Sequence, residues 1–346
     1  MLKTTSKALL RGGLALAGIL VIAVLVRRIG WSGVRANLLR IGPWLPGLVA
    51  LNLVTQSGFV LALRTVLDPK PLEPKPRWRN FRRLYGIYLM GDSANYIVPG
   101  IGEAAKVRLL RDISGGEAAL AAVTLHKHAD LIAQSVFSIV GVGAALLWFD
   151  LPGAVVAAAL LGILLFLILL LLLTWALGRG AFSPILRRLA GWKFLAPRLH
   201  RFQRAAEGVD AKIILFHAVN RGRFLGAAAL CLLGYFGGVL ETWIVLRLLA
   251  PSSGWSSSLV LGILPMVLSN AVIFVPGKLG GAEGIRTGVA VLIGLTAAQG
   301  AAFSLIRRTR ELLWVVPGWA LLIRERLRSG ERGLDHSTLR KKAINA

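Results

Sequence analysis

The chain has 346 residues, room for one large domain or two small ones. Hydrophobic residues make up 55% and charged residues 16%, with a mean hydropathy of +0.68; a soluble domain carries about a quarter charged residues, so these values argue against a water-soluble enzyme and against a disordered chain. Lys and Arg total 41 against 16 Asp and Glu, a formal charge of +25; because the positive charge lies between long apolar runs, the implied partner is anionic lipid rather than nucleic acid.

A helix needs about 20 residues to cross the hydrocarbon of a bilayer. Taken in chain order, the candidate spans are 12–26, 44–67, 117–148, 152–177, 224–249 and 296–323. The first follows Lys3, Lys7 and Arg11 as a signal peptide would, but Arg27 and Arg28 come directly after it without a small-residue cleavage site, which favours a retained anchor. Two further stretches, 82–113 and 256–294, are apolar but broken by Pro and Gly at their centres. Their arms are too short to cross comfortably, and non-helical backbone survives at membrane depth only where protein or water satisfies it. Both are therefore expected to be re-entrant hairpins lining an internal cavity. The basic, partly amphipathic segment 178–223 is expected on the inner leaflet.

Charge bias orients the spans. With the N-terminus inside, the inner segments 1–11, 68–83, 178–223 and 324–346 hold 26 Lys and Arg, and the outer segments hold four. Those four are Arg27, Arg28, Arg35 and Arg40, and the sequence sets no role for their loop, 27–43. Both termini are accordingly expected in the cytoplasm.

The two broken stretches resemble each other. Each contains Val-Pro-Gly, then a Gly, a Glu and a base three residues after that Glu: Pro99, Gly100, Gly102, Glu103 and Lys106 in the first, Pro276, Gly277, Gly280, Glu283 and Arg286 in the second. The prolines are 177 residues apart, about half the chain. Upstream, Arg64 and Arg247 stand at corresponding span ends; downstream, Lys127 and Asp130 occupy the place of Arg307, Arg308, Arg310 and Glu311. An odd number of crossings between the units makes the second inverted, a transporter pattern. The expected architecture is an all-α polytopic membrane protein of six spans and two re-entrant hairpins in inverted-topology repeats. It divides into an anchor and basic loop (1–43), a first repeat (44–148), a linking span and basic segment (149–223), a second repeat (224–323) and a basic tail (324–346).

Ionisable groups at membrane depth are costly and point to function. Lys106, Lys278, Arg286, Arg307 and Arg310 are the candidate ligands for an anionic headgroup, since guanidinium and ammonium groups bind phosphate oxygens. Glu103, Asp130, Glu283 and Glu311 are candidate cavity acids. Glu103 with Lys106 and Glu283 with Arg286 share helix faces at i,i+3, so the pairs serve either as internal ion pairs or as bases oriented toward a ligand by their acids. His126 and His128 point about 200° apart on a helix, and each is read either as a proton carrier or as a packing residue. Asn95, Ser93, Ser269 and Asn270 either line the cavity or cap broken helices. Pro99, Gly100, Gly102, Pro276, Gly277 and Gly280 shape the breaks. A nucleotide loop and zinc-spaced Cys/His clusters are missing, and the only cysteine is Cys231, so neither a metal nor a cofactor is expected.

These residues resemble the lysylphosphatidylglycerol synthase transmembrane-domain family, often described as flippase-like. Pro99, Gly102, Glu103 and Lys106 match its first pattern; Pro276, Gly277, Leu279, Gly280 and Glu283 match its second; Arg310 precedes Pro317 by the family's spacing. The similarity covers roughly 44–323. It implies translocation of a polar-headed or isoprenoid lipid across the bacterial cytoplasmic membrane. One departure is His126-Lys127, where relatives commonly carry Glu-Arg, which leaves substrate and coupling open. Some relatives carry a soluble aminoacyltransferase domain; the chain ends soon after its last span, so that activity is expected to be missing. The reading is thus a lipid transporter, not an enzyme, with an anionic membrane lipid as partner; a homo-oligomer is compatible with it. The competing readings are a membrane enzyme, or an enzyme's partner, acting on a polyprenyl phosphate-linked substrate with Glu103 or Glu283 as general base, and a scaffold without transport.

Overall fold

The computed structural model describes residues 31–67, 77–97, 100–190, 203–269 and 280–344, and the regular elements among them are all helical. In order they are α1 (Trp31–Ile41), a short 3-10 turn (Gly42–Trp44), α2 (Leu45–Val66), α3 (Arg77–Ile97), α4 (Ile101–Ser114), α5 (Gly116–Trp148), α6 (Gly153–Gly178), α7 (Phe182–Ala190), α8 (Gln203–Val219), α9 (Arg221–Leu249), α10 (Trp255–Leu268), α11 (Gly281–Leu292) and α12 (Ala297–Ile344). The expected first span, 12–26, lies outside the described residues.

Four helices among the described residues are long and apolar enough to cross a membrane: Leu39–Val66, α5, α6 and α9. The case is plainest for α6. It is apolar all round, only 6% of its most apolar stretch is buried by protein, and Leu161, Leu164, Leu165, Leu171 and Leu172 are exposed. An exposed leucine surface of that extent is compatible with lipid, not water. The expected span 296–323 forms the first half of α12; Arg307, Arg308, Arg310 and Glu311 keep that stretch from qualifying by composition alone.

Residues 82–113 form α3 and α4, which turn at Gly100; residues 256–294 contain α10 and α11, joined through residues outside the description. The two second arms start alike. Gly100 (φ 88°) precedes α4 and Gly280 (φ 75°) precedes α11, a left-handed backbone that only glycine adopts without strain, and each arm carries its Glu in the first turn. Asn95 closes the first turn. Its Oδ1 accepts the amides of Gly100 (3.0 Å) and Gly102 (2.8 Å), so it caps α4 rather than facing a cavity.

The core is organised around α2 and α9, which pack along each other. Their backbones approach closely because small residues face the seam: a Cβ on Gly237 would lie 2.0 Å from the Thr55 side chain. The arms α3 and α4 pack on α12 and α5, whereas α10 and α11 pack against α5, α9 and α12. The segment expected on the inner leaflet forms α7 and α8, and α8 docks on α5 through Val209, Ile213 and Phe216. Asp210 accepts the amides of Phe182 and Ser183 and so caps α7 from α8.

An equally tight seam lies inside the first hairpin, where a Cβ on Gly102 would lie 2.0 Å from the Gly91 carbonyl and 2.4 Å from Asn95. Gly102→Ala must push α3 and α4 apart, with an expected loss of about 1–3 kcal/mol, read as a lower thermal midpoint in detergent. An unchanged midpoint would show that the seam yields freely.

Candidate functional site

Between α2, α5, α9, α10, α11 and α12 lies a cavity of about 290 Å³. Its polar lining comprises Asn52, Thr55 and Gln56 from α2, Tyr235 from α9, Ser269 after α10, Arg286 from α11, and Arg307 and Arg310 from α12. There is no carboxylate among the described lining residues. The acids stand behind the arginines instead. Arg310 meets Glu241 of α9 at 2.9 Å and Arg307 meets the same oxygen at 3.6 Å; Arg286 donates to Glu311 at 2.7 Å.

Arg308 faces away from this lining and ties three elements. It pairs with Glu283 in the first turn of α11, with Glu311 one turn along α12 at 3.1 Å, and with the Tyr96 hydroxyl near the end of α3. One guanidinium thereby joins the first hairpin to the second. The Glu283–Arg286 pairing allowed by their i,i+3 spacing does not form; each reaches across to α12, because α11 lies against α12 and the i,i+3 pair Arg308–Glu311 offers both a base and an acid on the facing side.

The first half carries a second network. Glu103 and Lys106 pair within α4 at 3.1 Å, and the buried ammonium lies 4.4 Å from the centre of the Tyr88 ring. Lys127 and Asp130 pair within α5 at 2.8 Å, and Asp130 also accepts the Tyr235 hydroxyl at 2.8 Å, which links this network to the cavity wall. Asp92 accepts Trp314 at 3.3 Å, and the Ser93 carbonyl accepts Trp319 at 2.8 Å, fixing α3 to α12.

Of the expected headgroup ligands, then, Arg286, Arg307 and Arg310 come together on one cavity. Lys106 does not line it and faces Glu103; Lys278, Pro276 and Gly277 lie outside the described residues, as do Pro99 and Asn270. His126 sits against the Phe59 carbonyl (3.2 Å) and the Tyr88 ring, while His128 meets Thr174 (2.9 Å) and packs beside His217 and Phe224. The two imidazoles therefore face different neighbours, and neither lines the cavity. Arg247 lies over Trp243 and donates to the Pro251 carbonyl at the end of α9, a placement suited to a headgroup-level arginine.

Glu241 and Tyr235 complete this arrangement, and neither was given a site role from the sequence. Glu241 is an acid inside an otherwise apolar span, which flags it, and the i,i+3 spacing of Arg307 and Arg310 calls for a shared counter-ion. Tyr235 carried no signal.

Apolar helices open to lipid, with buried ion pairs closing a polar cavity between them, define a polytopic membrane protein. The chain belongs to the family described as the lysylphosphatidylglycerol synthase TM region, whose model matches residues 10–318. A search of curated proteins and a search of solved structures each found no match.

Because Arg308 and Glu283 are both buried, removing one charge strands the other. Arg308→Met should destabilise by about 3–5 kcal/mol, and the double variant with Glu283→Gln by clearly less than the two single effects together. Thermal unfolding of the single and double variants measures this; additive losses would show that the pair is not coupled.

Proposed function

We propose that the protein is a lipid transporter that moves a lipid with an anionic headgroup, an isoprenoid lipid among the candidates, across the bacterial cytoplasmic membrane. Its headgroup occupies the arginine-lined cavity while its tails stay in hydrocarbon. The observation that carries this reading is the placement of three guanidiniums on a cavity whose balancing acids stand behind them. Polar atoms of these arginines are left unsatisfied: Arg286 Nη1, Arg307 Nε and Arg310 Nε are buried and make no hydrogen bond to a described residue. Buried donors call for an acceptor, and phosphate oxygens are the natural one for guanidinium. At about 290 Å³ the space lies at the lower limit of small-ligand pockets; it takes a headgroup and not the acyl chains. Family membership supports a lipid-related role.

The hairpins give the transport reading its mechanism. In this reading 82–113 and 256–294 enter the membrane from opposite sides, and rocking one repeat against the other about the α2–α9 seam exposes the cavity to each leaflet in turn. In this reading Asp130, which accepts the hydroxyl of the cavity-lining Tyr235, couples movement to a proton. The lipid leaves chemically unchanged.

In liposomes carrying labelled anionic lipids, the purified protein should speed exchange between leaflets without altering lipid masses. Arg310→Gln should slow that exchange about tenfold or more, as expected on losing a charge-assisted contact of about 1.5–3 kcal/mol. A changed lipid mass without faster exchange would replace transport by an enzymatic role. Topology has its own check: single cysteines in 68–83 and in 250–258 should label from opposite sides, and labelling from one side would overturn the inverted arrangement.

A further inference from the structure

The charges behind the cavity say more about the headgroup than its sign. The charge network comprises two ion-paired groups, Arg286 and Arg308 with Glu283 and Glu311, and Arg307 and Arg310 with Glu241. Four guanidiniums against three carboxylates leave a net charge of +1 among the described residues. Glu241 has a particular place in that balance. It is 1% exposed, lies behind the cavity wall rather than on it, and serves both Arg307 and Arg310 through one oxygen. The other two acids are also held by Arg308, which does not line the cavity. Glu241 is thus the carboxylate that offsets cavity-facing charge alone.

We propose that Glu241 is a specificity-determining residue: it leaves the cavity one positive charge short of a dianion, so that the site selects a monoanionic phosphodiester headgroup over a dianionic phosphomonoester. The inference rests on the cavity being the headgroup site. Its physical basis is the high cost of an uncompensated charge away from water. A phosphodiester carries a single negative charge and neutralises the network. A phosphomonoester carries about −1.5 to −2 near neutral pH and leaves an excess negative charge beside Glu241. Specificity here comes from a repulsive element placed against the wrong ligand.

The test uses the full chain in mixed vesicles at pH 8, with lipid retention through purification measured by mass spectrometry. The probes are phosphatidylglycerol as phosphodiester, phosphatidic acid as phosphomonoester and phosphatidylethanolamine as the net-neutral control. The native protein should retain phosphatidylglycerol over both others. Glu241→Gln raises the network charge by one and should shift the ratio of phosphatidic acid to phosphatidylglycerol about tenfold toward phosphatidic acid. Adding Arg307→Gln to that variant restores the net charge and should restore the phosphodiester preference, which a merely structural role for Glu241 would not do. Should Glu241→Gln fail to give monodisperse protein, Arg307→Gln alone carries the test: it makes the network neutral and must erase the preference for phosphatidylglycerol over phosphatidylethanolamine. Equal retention of the two anionic lipids by the native protein, or an unmoved ratio in Glu241→Gln, overturns this inference alone. Retention of neither anionic lipid overturns the headgroup site itself. Selective retention without accelerated leaflet exchange overturns transport and leaves the selectivity standing.

Discussion

A charge away from water must have a partner, and that constraint orders this molecule more than any single apolar contact. Lys106, Lys127, Arg286, Arg307, Arg308 and Arg310 lie within the helical bundle together with Asp92, Glu103, Asp130, Glu241, Glu283 and Glu311. Ion pairs connect all of them but Asp92 within and between helices, and Asp92 accepts the Trp314 indole N–H instead. Helix α12 depends on this most. Its four charged residues at 307–311 would bar it from an apolar environment, yet Glu241 on α9 and Glu283 and Arg286 on α11 meet them from neighbouring helices. The pairs therefore do more than neutralise charge; they fix which faces of α9, α11 and α12 meet.

Two kinds of contact then divide the work. Where no charge is involved, helices close on small residues: Gly237 accepts Thr55 at the α2–α9 seam, and Gly318 lies against Ser93 and the Leu89 carbonyl where α12 meets α3. Where charge is involved, long side chains reach from one helix to the next, as Arg286, Arg307, Arg308 and Arg310 do. The cavity occurs at the boundary between these regimes, with the α2–α9 seam on one side and the arginines of α11 and α12 on the other. Its polarity follows from that position, since the arginines extend into the space from helices already anchored by their acids.

Much of this was legible in the sequence, and what was not has a physical cause. The spans 117–148, 152–177 and 224–249 emerge as α5, α6 and α9 nearly residue for residue, because apolar composition and length are properties of the segment itself. The breaks at Gly100 and Gly280 were legible too, as glycines within or just after a Val-Pro-Gly in an apolar run have few other uses. The i,i+3 rule found Glu103–Lys106 and Lys127–Asp130, which close within one helix. The same rule suggested Glu283–Arg286 and missed the actual pairing, because a residue's local neighbour competes with partners on α12 that spacing cannot reveal. Glu241 was visible as a charge but not as a partner, for the same reason. Lys106 was read from the sequence as a headgroup ligand equivalent to Arg286, whereas the two have different settings: an ammonium folded against Glu103 and Tyr88, and a guanidinium on the cavity wall.

That difference between the two hairpins bears on the order in which the chain can assemble. In the first, Asn95, Gly100, Gly102, Glu103 and Lys106 satisfy one another within a dozen residues. Such a unit closes a short loop and needs nothing synthesised later. In the second, Glu283 and Arg286 find their partners on α12, 25 residues downstream. Until α12 arrives, an acid and a base of α11 are without those counter-charges, and α12 in turn cannot leave water cheaply without them. The turn of the first hairpin can therefore close as the chain emerges, while α11 and α12 must come together as a single cooperative step. The cavity, which takes Arg286 from one of these helices and Arg307 and Arg310 from the other, exists only after that step.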